Sequence, residues 1–235
     1  MQEINLKEYD IVIGVDASGS MGTEDIAGKP GVSRWDYALE TVEGFVQIAQ
    51  KWDSDGPTVV FFNEGTRVFA NTTYAKVASL FSSTRPGGGT NTAAYLHEQL
   101  EDYLKRRIVT TGGLFNRKRT LAAPSVAKPL IIITVTDGQP TSGFGKWSDA
   151  ENAVAGVICD AANQIAGAGG SRLDIAFSFL RVGTDQHAAD FLERLNDKLT
   201  AEASGDLRAP FDCVNCMDLD EAGSFEEILI KSLSE

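Results

Sequence analysis

The chain has 235 residues, 43% apolar, 23% charged and 9% aromatic, which excludes a disordered chain and supports a core built without disulfides. Lys and Arg number 21 against 33 Asp and Glu, a formal charge of −12, so phosphate polymers and anionic membranes are repelled at long range and cations are attracted. No apolar run reaches the length of a membrane span, the first ten residues lack the basic and apolar regions of a signal peptide, and three cysteines make a sparse, odd set, so reduced thiols in the cytoplasm are expected.

Residues 9–15 form a short apolar run that ends at an aspartate and reads as a buried strand. A Gly/Ser/Pro-rich loop follows over 17–32. Ser33-Arg-Trp-Asp36 resembles a capping box with Asp in place of Glu or Gln, and Trp35, Leu39, Val42, Phe45, Val46 and Ala49 recur behind it at helical spacing. Residues 58–62 read as a second buried strand. Asn63-Glu-Gly65 turns the chain, and 66–70 returns as a short antiparallel partner at a sheet edge. A weak helix is expected over 74–81 and a stronger one over 92–105, with Leu96, Leu100 and Leu104 inward.

The segment 106–128 breaks the pattern with Gly112-Gly113, the basic cluster Arg117-Lys118-Arg119 and Pro124, and it reads as a surface insertion. Residues 129–136 follow, nearly unbroken in Ile and Val, as expected of a central parallel strand buried on both faces. Ser148-Asp-Ala-Glu151 is a full capping box before a helix bearing Val154, Val157, Ile158, Ala161 and Ile165. Residues 173–182 alternate as a strand. Phe191, Leu192, Leu195 and Leu199 mark a helix, 211–216 a last strand, and Ser224-Phe-Glu-Glu227 caps a final helix with Ile228, Leu229 and Leu233. Strands alternating with helices predict one α/β domain over 1–235, core about 9–234. It is doubly wound: a mainly parallel six-stranded sheet with one short antiparallel edge strand and helices on both faces.

In such folds ligands bind beyond the carboxyl ends of the strands. Asp16-Ala-Ser18-Gly-Ser20 follows the first strand, Asp137-Gly138 follows the central one, and a Gly-rich loop delivers Thr90-Asn-Thr92 between them. Two carboxylates and several hydroxyls, with no histidine or cysteine, make an oxygen-only set suited to a hard cation, Mg²⁺ or Mn²⁺ rather than Zn²⁺, with Ca²⁺ a third candidate. If hydroxyls and waters supply part of the coordination, the ion stays electrophilic toward one further anionic oxygen.

Simpler explanations apply to single pieces of this set. Asp16, Ser18 and Ser20 could be a polar turn, and Thr92 either a helix N-cap or a group behind the ligands. Cys213-Val-Asn-Cys216 lies on an expected strand without a second ligand pair, so structural thiols are expected rather than a redox or zinc motif. His97, His187, Glu98, Glu101 and Asp102 read as solvated surface, and the basic cluster as a solvated loop or a contact. Rival activities fare poorly. G-x-G-x-x-G and G-K-[ST] are absent. Ser18-Gly-Ser20-Met-Gly22 misses G-x-S-x-G by one residue, which leaves a serine hydrolase using Ser20, with His187 as base, as an alternative. A phosphotransferase on Asp16 would want a carboxylate where Ser18 stands.

Asp16-x-Ser18-x-Ser20, Thr90 and Asp137 together resemble the metal-ion-dependent adhesion site (MIDAS) of von Willebrand factor type A (vWA) domains. Gly-Gly-Thr-x-Thr at 88–92 and Ile-x-Val-Thr-Asp-Gly at 133–138 carry the likeness further, and it covers about 9–234. The resemblance implies a Rossmann-like sheet and a binding module, not an enzyme. Ser18 and Ser20 would coordinate the metal directly, Thr90 directly or through water, and Asp16 and Asp137 mainly through water. A Glu or Asp of a partner protein would complete the shell, within an intracellular assembly such as an AAA+ ATPase system. A purely structural metal is the other alternative on this fold. The 106–128 segment is long for its place in the family, and the resemblance leaves open whether the last helix moves.

Overall fold

The computed structural model describes residues 5–52, 56–113, 116–143, 149–199 and 207–234. Its strands are β1 (Asp10–Asp16), β2 (Thr58–Phe62), β3 (Thr66–Phe69), β4 (Ile108–Thr111), β5 (Lys118–Leu121), β6 (Leu130–Thr136), β7 (Ile175–Arg181) and β8 (Val214–Asp218). Its helices are α1 (Arg34–Ala49), α2 (Tyr74–Ser82), α3 (Thr92–Arg107), α4 (Ala150–Gly167), α5 (Gln186–Lys198) and α6 (Phe225–Ser234). The main sheet has six strands in the order β3-β2-β1-β6-β7-β8, parallel except for β3, which pairs antiparallel with β2 at one edge. No helix among the described residues is long and apolar enough to cross a membrane.

Side chains alternate across a strand, so each strand feeds two cores. On one face Ile11, Ile13 and Val15 of β1 and Ile131, Ile133 and Val135 of β6 join α1, α2 and α6. On the other, Val12, Ile132, Phe177 and Phe179 join α3, α4 and α5. β6 is buried at all positions, as its unbroken apolar run requires. Trp35 of α1 meets Phe61 edge-on at 5.2 Å, and Phe45 stacks on Phe225 of α6 at 4.5 Å.

Local signals set most helix starts. Ser33 accepts the Asp36 N–H at 3.1 Å, and its hydroxyl donates to the Asp36 carboxylate at 2.6 Å, a shortened capping box. At α6 the box is complete. Ser224 Oγ accepts from Glu227 N at 3.2 Å, and Glu227 Oε2 accepts from Ser224 N at 2.7 Å. Ser224→Ala should therefore cost about 1 kcal/mol, read as a lower urea midpoint with an unchanged slope. Of the box expected at 148–151, Ser148 lies outside the described residues; Asp149 is the N-cap, accepting from Asn152 N at 2.8 Å. Asn91, not Thr92, caps α3.

Several boundaries differ from the sequence reading, among them that of β7, which spans Ile175–Arg181 rather than 173–182. The last strand starts at Val214 and runs to Asp218, where Arg181 pairs with the Asp218 carboxylate at 2.6 Å. α3 continues to Arg107, whose buried guanidinium donates to the carbonyls of Ala122 at 2.8 Å and Ala127 at 2.7 Å and pairs with Asp174. Part of the 106–128 segment is ordered, since β4 and β5 pair antiparallel as a two-stranded hairpin apart from the main sheet.

Candidate metal centre

β1 sends the chain to β2 on one side, while β6 sends it to β7 and β8 on the other. The sequence of strands therefore diverges between β1 and β6, where a parallel sheet opens a crevice at its carboxyl end. Asp16 is the last residue of β1, and Asp137 follows the last residue of β6. Val15 lies in register with Val135, which puts the two carboxylates on adjacent strand ends.

Both are fully buried. Asp16 Oδ1 accepts the Ser18 N–H at 2.8 Å, and Asp16 Oδ2 accepts the Thr136 hydroxyl at 2.7 Å. Ser18 Oγ lies 3.1 Å from Ser20 Oγ, and Ser20 Oγ donates to Asp137 Oδ1 at 2.8 Å. Ser20 is exposed, so the cluster opens to solvent at its edge. Thr90 is buried on the neighbouring loop. Its N–H donates to Thr141 Oγ1 at 2.8 Å, and its carbonyl accepts from Thr141 N at 2.9 Å. Backbone bonds bring the loops together: Gly19 N to the Gly88 carbonyl at 3.1 Å, and Gly87 N to the Ala17 carbonyl at 2.8 Å.

Thus Asp16, Ser18, Ser20 and Asp137 form one connected set, and Thr90 is held on the loop that abuts it. Thr92 is buried in the first turn of α3. Sequence reasoning missed Arg34. Its Nη1 donates to Asp137 Oδ2 at 2.8 Å, while Nε and Nη2 hold both oxygens of Asp25 at 2.8 and 2.6 Å. A cation opening a helix opposes the helix dipole, and that was the available signal that Arg34 answers to acids outside its helix.

The electrostatics follow from burial. Desolvation, then repulsion from Asp137, pushes the Asp16 carboxyl up to about 7. Desolvation also raises Asp137, with Arg34 and Ser20 opposing it. Asp16 has hydrogen bonds but no cationic side chain among the described residues. Asp137 shares one guanidinium with Asp25 and Asp16 has none, so the two buried carboxylates leave charge that a hard cation would relieve. Hydroxyls and carboxylates are the donors such an ion takes. Among the described residues no three His, Cys, Asp or Glu side chains gather as a metal cluster, so any ion here must draw on hydroxyls and water as well.

The hydrolase alternative meets a different geometry, because Ser20 donates to a carboxylate that is itself bound by Arg34. His187 stands at the start of α5, where its N–H caps onto Asp185. Cys213 and Cys216 share one apolar cluster with Cys159 rather than facing opposite sides, because Cys213 precedes β8. None of the three is in a disulfide, and burial pushes the Cys213 and Cys216 thiols far up, away from the reactive thiolate.

No family model matches the sequence, and no curated protein matches it. Among solved structures, the vWF domain of the type V pili tip protein Mfa5 from Porphyromonas gingivalis is 13% identical, with a TM-score of 0.52 over 97% of this chain and 96% of that one. The fold is that of a von Willebrand factor type A domain. A point mutant of the PilB minor pilin from Streptococcus sanguinis is similar at a TM-score of 0.50 and 12% identity, covering 99% of this chain and 61% of that one. A von Willebrand factor type A protein from Catenulispora acidiphila gives 0.48 at 16% identity, covering 96% and 43%. The chain therefore spans less than two thirds of the length of those last two. On this vWA fold the five residues singled out by sequence all stand at the carboxyl end of the sheet, at the ends of β1 and β6 and on the loop before α3.

Proposed function

We propose that the chain is a binding module, not an enzyme, that holds Mg²⁺ or Mn²⁺ through Asp16, Ser18, Ser20, Thr90 and Asp137 and uses it to grip a Glu or Asp of a partner protein. The observation that carries this reading is the pair of buried, mutually repelling carboxylates joined by serine hydroxyls and open to solvent at Ser20. A bound ion supplies a Lewis-acidic position for one more oxygen. Ser18 and Ser20 would hold the ion through their hydroxyl oxygens, Asp16 and Asp137 would supply charge behind them mainly through water, and Thr90 would complete the set from the neighbouring loop. With a net charge of −12 the protein repels acidic surfaces at long range, so the partner's carboxylate must sit on a neutral or basic face.

Three cysteines outside any disulfide support a cytoplasmic setting, and an AAA+ ATPase assembly is the partner class we favour there. The pilus proteins of similar fold define the competing, extracellular setting, in which adhesion to another protein would use the same face.

Mn²⁺ titration followed by electron paramagnetic resonance tests the site. Wild type should bind one ion saturably, with Mg²⁺ competing. Asp137→Asn keeps an acceptor for Arg34 but removes the charge, and should weaken Mn²⁺ on the order of tenfold or more. Wild-type binding that survives unchanged in Asp137→Asn would locate the ion elsewhere. Binding that is lost without any change in partner affinity would make the metal structural.

A further inference from the structure

The β4–β5 hairpin has no part in the candidate metal site, yet it concentrates charge. Residues 103–136 hold seven Lys and Arg and no Asp or Glu, while the rest of the chain carries 14 against 33. A chain of net charge −12 thus keeps one cationic arm. α3 starts beside the crevice at Thr92 and runs 16 residues, about 24 Å at 1.5 Å per residue. The arm therefore emerges at the other end of the sheet. Its root is fixed there: Arg107 is buried, donates to the carbonyls of Ala122 and Ala127, and pairs with Asp174, which directly precedes β7. Alternation divides the side chains of the ribbon. Ile108, Thr110 and Arg119 line the groove between α3 and α4. Val109, Thr111 and Lys118 take the opposite face, and all three are exposed, Val109 at 41%.

On the far side of α3 lies a groove of about 580 Å³ with the opposite sign. Asp10, Glu98, Glu101 and Asp102 line it, with Arg106 its one cation among the described residues, and Val68 of β3 stands in it 53% exposed. Glu98 accepts from the Thr66 hydroxyl, and Asp102 is exposed. Glu101 pairs with Lys105 at 2.8 Å, but both side chains are more than half exposed, so the pair is weak and exchangeable.

Each surface has what the other lacks: exposed cations around Val109, carboxylates around Val68, one on each side of a single helix. Two adjacent surfaces that complement each other make a face that complements itself. Turned about a two-fold axis, such a face makes the same contact twice and closes as a dimer. Two chains of net charge −12 repel at long range, but salt confines that repulsion to about 8 Å under physiological conditions, so the matched contact decides.

We propose that this chain forms a two-fold dimer in which the β4–β5 hairpin of each copy seats in the acidic groove beside α3 of the other. The contact lies away from the crevice at the carboxyl end of the sheet, so it stands apart from the metal reading.

Sedimentation velocity on the full chain, in chelator so that no ion takes part, provides the test. Wild type should give a dimer that dissociates as NaCl rises from about 0.1 to 1 M, where the screening length falls from about 10 to 3 Å. Two charge-reversed variants, checked for folding by circular dichroism, dissect the contact. One carries Arg117→Glu, Lys118→Glu and Arg119→Glu; the other carries Glu98→Lys and Asp102→Lys. Each alone opposes like charges and should weaken dimerisation on the order of a hundredfold. Mixed in equal amounts they should recover the dimer, because every hairpin then meets a groove of opposite sign. A wild type that is monomeric at every salt and protein concentration overturns the proposal. So does a dimer that either variant leaves intact, or a mixture that stays monomeric. Species that grow past the dimer overturn the two-fold arrangement. A monomer that binds a labelled RNA oligomer through Arg117, Lys118 and Arg119 assigns the arm to phosphate and overturns it as well. If one variant does not fold, the salt series and the other variant carry the test.

Discussion

In chelator, the protein should lose roughly 2 to 3 kcal/mol of stability between pH 5 and pH 8, most of it through Asp16. Its carboxyl is fully buried and raised to about 7, so the folded state holds the proton more tightly than the unfolded chain. That stabilisation is complete below the ordinary carboxylate range and is lost as pH rises through 7. Asp137 is shifted in the same direction. Asp25 is not: Arg34 lowers it to about 2, so its contribution is present above the carboxylate range, disappears only in acid, and does not slope between pH 5 and 8. For a chain of this size the loss corresponds to a fall in melting temperature of roughly 5–10 °C. Asp16→Asn should flatten the profile and melt higher than wild type at pH 8 in chelator. Mg²⁺ should restore wild type at pH 8 and do little at pH 5, because proton and ion compete for the same oxygens. A flat wild-type profile in chelator, or a slope that persists in Asp16→Asn, would show that the buried carboxylate is not the source.

The second large effect is expected at Gly14, two residues before Asp16. Gly14 lies under Tyr95 of α3, which is fully buried and stacked on Phe62 with ring centroids 4.4 Å apart. A Cβ on Gly14 would stand 2.1 Å from the Tyr95 hydroxyl oxygen and 2.3 Å from Cζ, distances no packed pair tolerates. Gly14→Ala should cost about 3 kcal/mol or more by forcing the ring out of its slot, read by urea or thermal unfolding. Adding Tyr95→Phe should not restore stability, because the ring carbon remains in the way. Adding Tyr95→Ala should recover part of the loss by opening the slot. Recovery by Tyr95→Phe would mean that the hydroxyl alone makes the contact. Gly14 is also where β1 runs toward the candidate site, so a displaced strand should weaken Mn²⁺ binding along with the fold.

Much of the architecture was legible because the strands are buried on both faces. Ile131 to Val135 can only be a central strand, and the hydroxyl-rich segment ending at Ser20 had to emerge at a carboxyl end. The helix starts at Ser33 and Ser224 were legible because capping is local chemistry. What escaped depends on distant partners. The sequence reading started β8 three residues early and ended it two residues short, and the pairing of Asp218 with Arg181 at the strand ends is a contact that only folding makes. The β4–β5 strands, Ile108–Thr111 and Lys118–Leu121, carry no clean alternation of apolar residues, and Arg107 tethers the segment after them through backbone carbonyls. The candidate residues at 16, 18, 20, 90 and 137 were singled out by residue type and by the family resemblance, but Arg34 lies 103 positions from Asp137 and only folding joins them.

The loops around the candidate site are stitched to one another largely through main-chain atoms: Gly19 to Gly88, Gly87 to Ala17, Asn91 to Asn63, and Thr141 to Thr90. Main-chain atoms do not change when a side chain is replaced. The frame can therefore keep its shape while the residues it presents are rewritten, so the crevice is a socket whose chemistry can be exchanged without rebuilding the walls. A lineage built on this frame can lose an ion, trade one ion for another, or acquire a different ligand by point substitution alone, and a protein engineer can follow the same route.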